Sequence, residues 1–389
     1  MTTFPSARPP GEPPGPLAEA PGRGASARVV PAGDHELRRL PDLALRPYGG
    51  SVVAASDESF AERQALIRPG RPAFQAGTFG ARGQVYDGWE TRRRREPGHD
   101  WAVVRLGMPG VVRAVVVDTA WFTGNYPPFA SVEACEMAGH PSVAELQRAT
   151  WVEIVPKSPL TGDTAHTFPV SGARRFTHVR LNIFPDGGVA RLRVHGEVAA
   201  DLALYDGMPF DLAALENGAV VTACSDEFYS SPQNVIAPGL PRHQAEGWET
   251  ARRRDGGNDW LVVRLAVPGV VRVAELDTAN LVYNAPGAAS LAGVHASPAA
   301  DPSTGARARG EGSAGAWGEG PAYARARGGG TPGEDAGWFE LLPRTPLQPD
   351  TRHRFRLPGD RAVTHVRLDI HPDGGLGRLR LWGTPAGPG

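Results

Sequence analysis

The chain is poor in sulfur and nearly devoid of lysine. Its 389 residues include two cysteines, Cys135 and Cys224, and no pair at Cys-x-x-Cys spacing. That argues against a disulfide framework and against a thiolate metal site. Lys157 is the only lysine, so 40 of the 41 basic residues are arginine. A coding bias explains that choice most simply. Its consequence is that any bidentate grip on a carboxylate must come from arginine. No apolar run of about 18 residues occurs, and the start Met1 to Pro10 lacks the apolar core of a secretory signal, which makes the cytoplasm the expected compartment. The net charge of −1 gives no electrostatic case for nucleic acid or a membrane surface. There is no G-x-x-x-x-G-K-[ST], no G-x-G-x-x-G after a strand, no H-E-x-x-H and no G-x-S-x-G.

What is present is a duplication. Asp87-Gly-Trp-Glu-Thr-Arg-Arg-Arg-Arg leads to His99-Asp100-Trp101, and Glu246-Gly-Trp-Glu-Thr-Ala-Arg-Arg-Arg leads to Asn258-Asp259-Trp260. Trp89 and Trp248 are 159 positions apart. Earlier, Ser56-Asp57-Glu58 matches Ser225-Asp226-Glu227 at an offset of 169. Later, Thr177-His-Val-Arg-Leu-Asn-Ile-Phe-Pro-Asp-Gly-Gly188 matches Thr364-His-Val-Arg-Leu-Asp-Ile-His-Pro-Asp-Gly-Gly375 at 187, a net insertion of 28 residues in the second copy. The expected layout is a Pro/Gly/Ala-rich disordered leader over 1–35, one repeat over 36–200 and a second over 201–389. A low-complexity surface loop is expected near 296–337.

Between polar loops the pattern is strand-like. In Thr177 to Ile183, Val179, Leu181 and Ile183 fall on one face, and His178, Arg180 and Asn182 on the other. Helix signals are confined to parts of Asp57–Ile67 and to Ser142–Arg148. Short strands bounded by Gly, Pro, Asn and Asp predict an all-β protein of two tandem jelly-roll sandwiches.

The polar words supply the candidate site. His99, followed by Asp100, has the chemistry of a general acid/base, and Asn258 replaces it in the second copy. Asp100 and Trp101 read equally well as loop cap and core. Asn125 is either a turn former before Pro127 or an amide that donates to and accepts from a substrate. His178 and Arg180, on the face opposite the apolar stripe, could bind a small anion or form an interface. Pro185-Asp-Gly-Gly188 reads as a tight turn. The charge run from Glu90 to Glu96 reads as a solvated loop, yet its recurrence points to internal pairing or to an arginine aimed into a site.

Taken together and in order, these words resemble the allantoicase family. The resemblance covers nearly the whole chain after the leader. It implies galactose-binding-like jelly rolls, hydrolysis of allantoate to ureidoglycolate and urea, and frequently a homo-oligomer. Matching the residue inventory to the carboxylate and ureido groups of such a substrate makes His99, Asp57 and Glu58 the catalytic candidates. The substrate-binding candidates are Glu90, Asn125, His178, Arg180 and one of Arg92 to Arg94, with Arg93 the choice. No cofactor is expected. A divalent metal is left open, because no ligand spacing supports one. The competing reading is a non-catalytic jelly roll that binds a carbohydrate or another small polar ligand. The departures at Asn258 and at Leu281-Val-Tyr283 make the first repeat the expected seat of catalysis.

Overall fold

The computed structural model describes residues 37–38, 40–296 and 337–386. The leader expected over 1–35 and nearly all of the 296–337 insertion lie outside the described residues.

The first repeat is built from β1 (Ser51–Ala55), β2 (Asp100–Asp118), β3 (Phe129–Cys135), β4 (Val152–Pro159), β5 (Ala165–Pro169), β6 (Arg175–Phe184) and β7 (Arg191–Val198). Its organising strand is β2, 19 residues long. The first half of β2, Asp100 to Arg105, pairs with β1 and β6. The register shifts between Arg105 and Gly110, and the second half pairs with β7 and β5. With β3 and β4 added beyond β6, one leaf runs β1–β2–β6–β3–β4 and the other β5–β2–β7, all antiparallel. These are the two leaves of a jelly roll. One strand serves both leaves, so its two ends return to the same end of the sandwich. Asp100 donates its backbone N–H to Pro185, and Ala190 donates to Asp118.

The second repeat repeats this plan with β8 (Val220–Cys224), β9 (Asp259–Asp277), β10 (Ala288–Val294), β11 (Phe339–Pro346), β12 (Arg352–Arg356), β13 (Val363–His371) and β14 (Arg378–Pro385). Strand β9 again switches leaves, from β8 and β13 to β14 and β12.

The alternation in β6 is as expected. Val179, Leu181 and Ile183 are fully buried between the leaves, each contributing roughly 1.5–3 kcal/mol. Most buried apolar residues of the two repeats fall in one continuous cluster, with two small clusters apart from it in the first repeat. Helix is scarce among the described residues. The 57–67 signal yields only a 3-10 turn, Arg63–Ile67. The 142–148 signal yields α1 (Val143–Arg148), capped reciprocally by Ser142 and Glu145.

The Trp-Glu word follows from the period of two in a strand. Trp89 is fully buried, and its indole N–H donates to the Asp57 carbonyl at 2.8 Å. The next side chain, Glu90, therefore points the other way, toward the loops. Trp248 and Asp226 repeat the bond at 2.8 Å. Trp101, by contrast, lies half-buried on the outer face of the five-stranded leaf and does not fill the main core.

Candidate active site

The end of the first sandwich where β1 stops and β2 starts gathers most of the polar words. The loop 185–190 closes it. Gly188 pairs with Glu90 in a two-residue ladder, and its N–H donates to the Asn125 carbonyl at 2.7 Å. Gly187 has φ +141°, and a Cβ there would meet Pro127 N at 2.6 Å and Asn125 O at 2.8 Å. Glycine is therefore what lets the Asn125 loop approach. The segment Pro185–Gly188, expected as a tight turn, is a bend whose Gly187 and Gly188 N–H groups donate to Thr91 Oγ1 and to the Asn125 carbonyl, and it seats the Asn125 loop.

Glu90 and Asn125 form the central pair. The Asn125 amide donates to Glu90 Oε1 at 2.6 Å. No hydrogen bond reaches the other carboxylate oxygen among the described residues. Burial pushes the Glu90 carboxyl above its ordinary value, and the Asn125 bond offsets this only in part. The second repeat keeps the pair, Asn284 to Glu249 Oε1 at 2.5 Å, but there Gln244 donates to Oε2 at 2.6 Å. The position matching Gln244 in the first repeat is Val85. Among the described residues, one copy thus has an open carboxylate oxygen and the other has none.

The remaining candidates divide by what they touch. Asp57 accepts from Ser59 N at 3.0 Å, Ser59 Oγ at 2.7 Å and Arg92 N at 2.9 Å. Burial raises its pKa, but these hydrogen bonds outweigh burial and hold it below the usual value. It is a loop fastener and a poor proton acceptor. Asp226 holds the matching loop, accepting from Phe228 N at 2.7 Å. Glu58 is taken up by Arg63, through the backbone N–H and the guanidinium, both at 3.2 Å. Arg94 holds buried Asp100 at 2.8 Å, and Ser56 adds a bond at 3.0 Å. Arg253, Asp259 and Ser225 duplicate that triad. The recurring charge run is thus partly an internal network. Arg93 stays exposed. His99 stacks on Phe184 with ring centroids 4.7 Å apart.

His178 and Arg180 lie further along β6, away from this group. At about 3.3 Å per residue, His178 lies roughly 20 Å along β6 from Phe184, and Arg180 roughly 13 Å. His178 is 1% exposed, and burial, with Arg105 nearby, drops its pKa to about 4. It is a neutral interior histidine bonded to Thr177. Arg180 pairs with Glu133 at 2.7 Å and stacks over Trp151 at 4.6 Å. It borders a cavity of about 220 Å³ under α1, walled by Trp101, Val103 and Leu146. That cavity is on the outer face of the leaf, apart from the loop-end residues.

Sequence reasoning missed Gln244 and the positioning role of Gly187. The first lies outside the duplicated word. The second was visible in the twin Gly374, at φ +122°, where a Cβ would lie 2.4 Å from the Asn284 carbonyl oxygen. Among the described residues, no group of three His, Cys, Asp or Glu side chains is placed to hold a metal ion.

The loop end of the first jelly roll presents a half-buried carboxylate, fixed by an amide and open on one oxygen among the described residues, a group suited to a small polar ligand or substrate. Residues 41–199 and 210–386 each match the allantoicase repeat family. A probable allantoicase of Nocardia farcinica is 51% identical over 366 residues, 93% of this chain and 99% of that one. One of Streptomyces coelicolor is 45% identical over 372 residues, covering 91% and 89%. The crystal structure of allantoicase from Saccharomyces cerevisiae superposes with a TM-score of 0.70 at 30% identity, covering 91% and 98%. The chain belongs to the allantoicase family, hydrolases that act on C–N bonds of linear amidines.

Proposed function

We propose that this chain hydrolyses allantoate to ureidoglycolate and urea, a step of purine breakdown, and that the first repeat carries the reaction. Allantoate bears one carboxylate and two ureido groups on a single carbon. Hydrolysis breaks one bond from that carbon to a ureido nitrogen and forms a bond to the oxygen of water. The water proton goes to a base, and a proton is delivered to the leaving urea nitrogen.

The observation that carries the site is the open oxygen of Glu90. Above its raised pKa, Glu90 is an ionised acceptor with one oxygen fixed by Asn125 and one facing the loops. It takes the water proton. The Asn125 amide gives one N–H to Glu90, and its side-chain oxygen accepts from a ureido N–H. His99, on its Phe184 shelf, supplies the proton to the leaving nitrogen. Asp57 and Asp100 hold the loops in which these groups sit.

The limits 36–200 and 201–389 belong to the same proposal, since the matched repeats fall inside them. So do a cytoplasmic setting and an assembly of several copies. Among the described residues no helix is long and apolar enough to cross a membrane. The test is urea release from allantoate by the purified chain, with and without added divalent metal. Release at enzymatic rates is expected. Absence of release under both conditions contradicts the proposal and favours a ligand-binding module.

A further inference from the structure

We propose that Lys157, the only lysine of the chain, receives the substrate's carboxylate in the first repeat. This rests on the reading that the first repeat binds allantoate. Three of the four arginines expected for that task are engaged elsewhere. Arg180 pairs with Glu133, Arg94 with Asp100, and Arg92 sits 3.4 Å from Asp57. Arg93 is exposed, with no ion pair to fix its guanidinium among the described residues.

Lys157, exposed on β4, is held differently. Its Nζ lies 4.3 Å from the centre of the Phe184 ring and 5.2 Å from that of Phe129. Phe184 is also the ring on which His99 rests. The ammonium and the imidazole therefore share one aromatic shelf. Cation–π contact restrains the long stem, worth about 0.5–1 kcal/mol at an exposed site. It leaves outward N–H donors free for an anion. No carboxylate pairs with Lys157 among the described residues.

The shelf and the Glu90–Asn125 pair are tied to the two ends of one short loop. Phe184 and Gly188 are the ends of the same short loop, and Gly188 is bonded to Asn125 and laddered to Glu90. Four residues span at most about 14 Å. A cation on one side and a carboxylate–amide pair on the other suit a small acid that carries ureido groups. The second repeat differs here as well. Arg344 stands at the position of Lys157 and His371 at that of Phe184, so the cation meets an imidazole whose protonation it opposes, after burial.

A single lysine makes the test selective. The full chain is treated with an amine-acylating ester in the presence and absence of N-carbamoylglycine, which has the carboxylate and one ureido group. The amide of that compound, which lacks the carboxylate, is the control. Acylation of the Lys157 peptide is read by mass spectrometry, with the N-terminal α-amino group of the purified chain as internal reference. N-carbamoylglycine should slow acylation of Lys157 severalfold and the amide should not. In parallel, Lys157→Met should raise KM for allantoate about tenfold or more, the equivalent of one charge-assisted hydrogen bond, with Lys157→Arg recovering most of it. Equal acylation with and without the acid, together with an unchanged KM in Lys157→Met, overturns the assignment. Urea release by the parent chain is scored separately, so failure of Lys157 and failure of the hydrolase reading give different results.

Discussion

His178 offers a quantitative test of how the candidates were divided. Its ordinary pKa is 6.5 and its folded value is about 4, because the ring is buried and Arg105 is near. The folded pKa is the depressed one, so the unfolded chain binds the proton more readily. Stability contributed by neutral His178 is intact above about pH 6.5 and is lost as pH falls toward 4. At 1.36 kcal/mol per pH unit, the full loss is about 3 kcal/mol, and about 2–3 kcal/mol of it is expressed by pH 4.5. Denaturant unfolding of the parent and of His178→Gln at pH 7 and pH 4.5 isolates this contribution from the carboxylates, which both proteins share. The parent should lose about 2–3 kcal/mol more than the variant. Urea release by the variant at pH 7 should remain within a few-fold of the parent, because His178 is far from the loop end. Equal acid sensitivity in the two proteins would refute the buried, neutral assignment. Collapse of activity without loss of fold would return His178 to the site.

Three further outcomes follow from particular contacts. Arg94→Ala leaves Asp100 buried without its cation and should cost about 3–5 kcal/mol, read as a shift in the denaturation midpoint; a shift near zero would mean the pair is solvated. Gly187→Ala places a Cβ against Asn125 and Pro127. It should cost about 1–3 kcal/mol in stability and up to about a hundredfold in kcat, and an unchanged kcat would separate the turn from the site. His99→Ala should lower kcat by at least about a hundredfold; activity within a few-fold of the parent removes His99 from the reaction.

Much of the fold was legible because its signals are local. Val179, Leu181 and Ile183 alternate, and burying them needs only a sheet with a second leaf above it. The duplicated polar words were legible as a network: Trp89 with Asp57, and Arg94 with Asp100 and Ser56, recur at matched positions. The division of the site was not legible. His178 and Arg180 sit in the same word as Phe184 and Gly188, but a strand carries each residue about 3.3 Å further, so neighbours in sequence end at different places. The leaf switch of β2, which brings Asp100 and Asp118 to one end, depends on a register shift that alternation does not encode. The difference between Glu90 and Glu249 was hidden for another reason. It is made by Gln244, against Val85, outside the words that match. Lys157 belongs to no repeated motif, and only the packing of Phe129 and Phe184 against it reveals its neighbourhood.

If Glu90 is the base, its open carboxylate oxygen is what makes the first repeat the catalytic one. Glu90→Gln and Glu249→Gln are the same change at matched positions, and urea release from allantoate compares them directly. The burial-raised pKa means that ionised Glu90 destabilises the fold above its unfolded pKa, so Glu90→Gln should be folded and no less stable at pH 7. Its kcat should fall by about 100- to 10,000-fold, the range for loss of a general base, while Glu249→Gln stays within a few-fold of the parent. Equal losses in the two variants, or a greater loss in Glu249→Gln, would contradict the account.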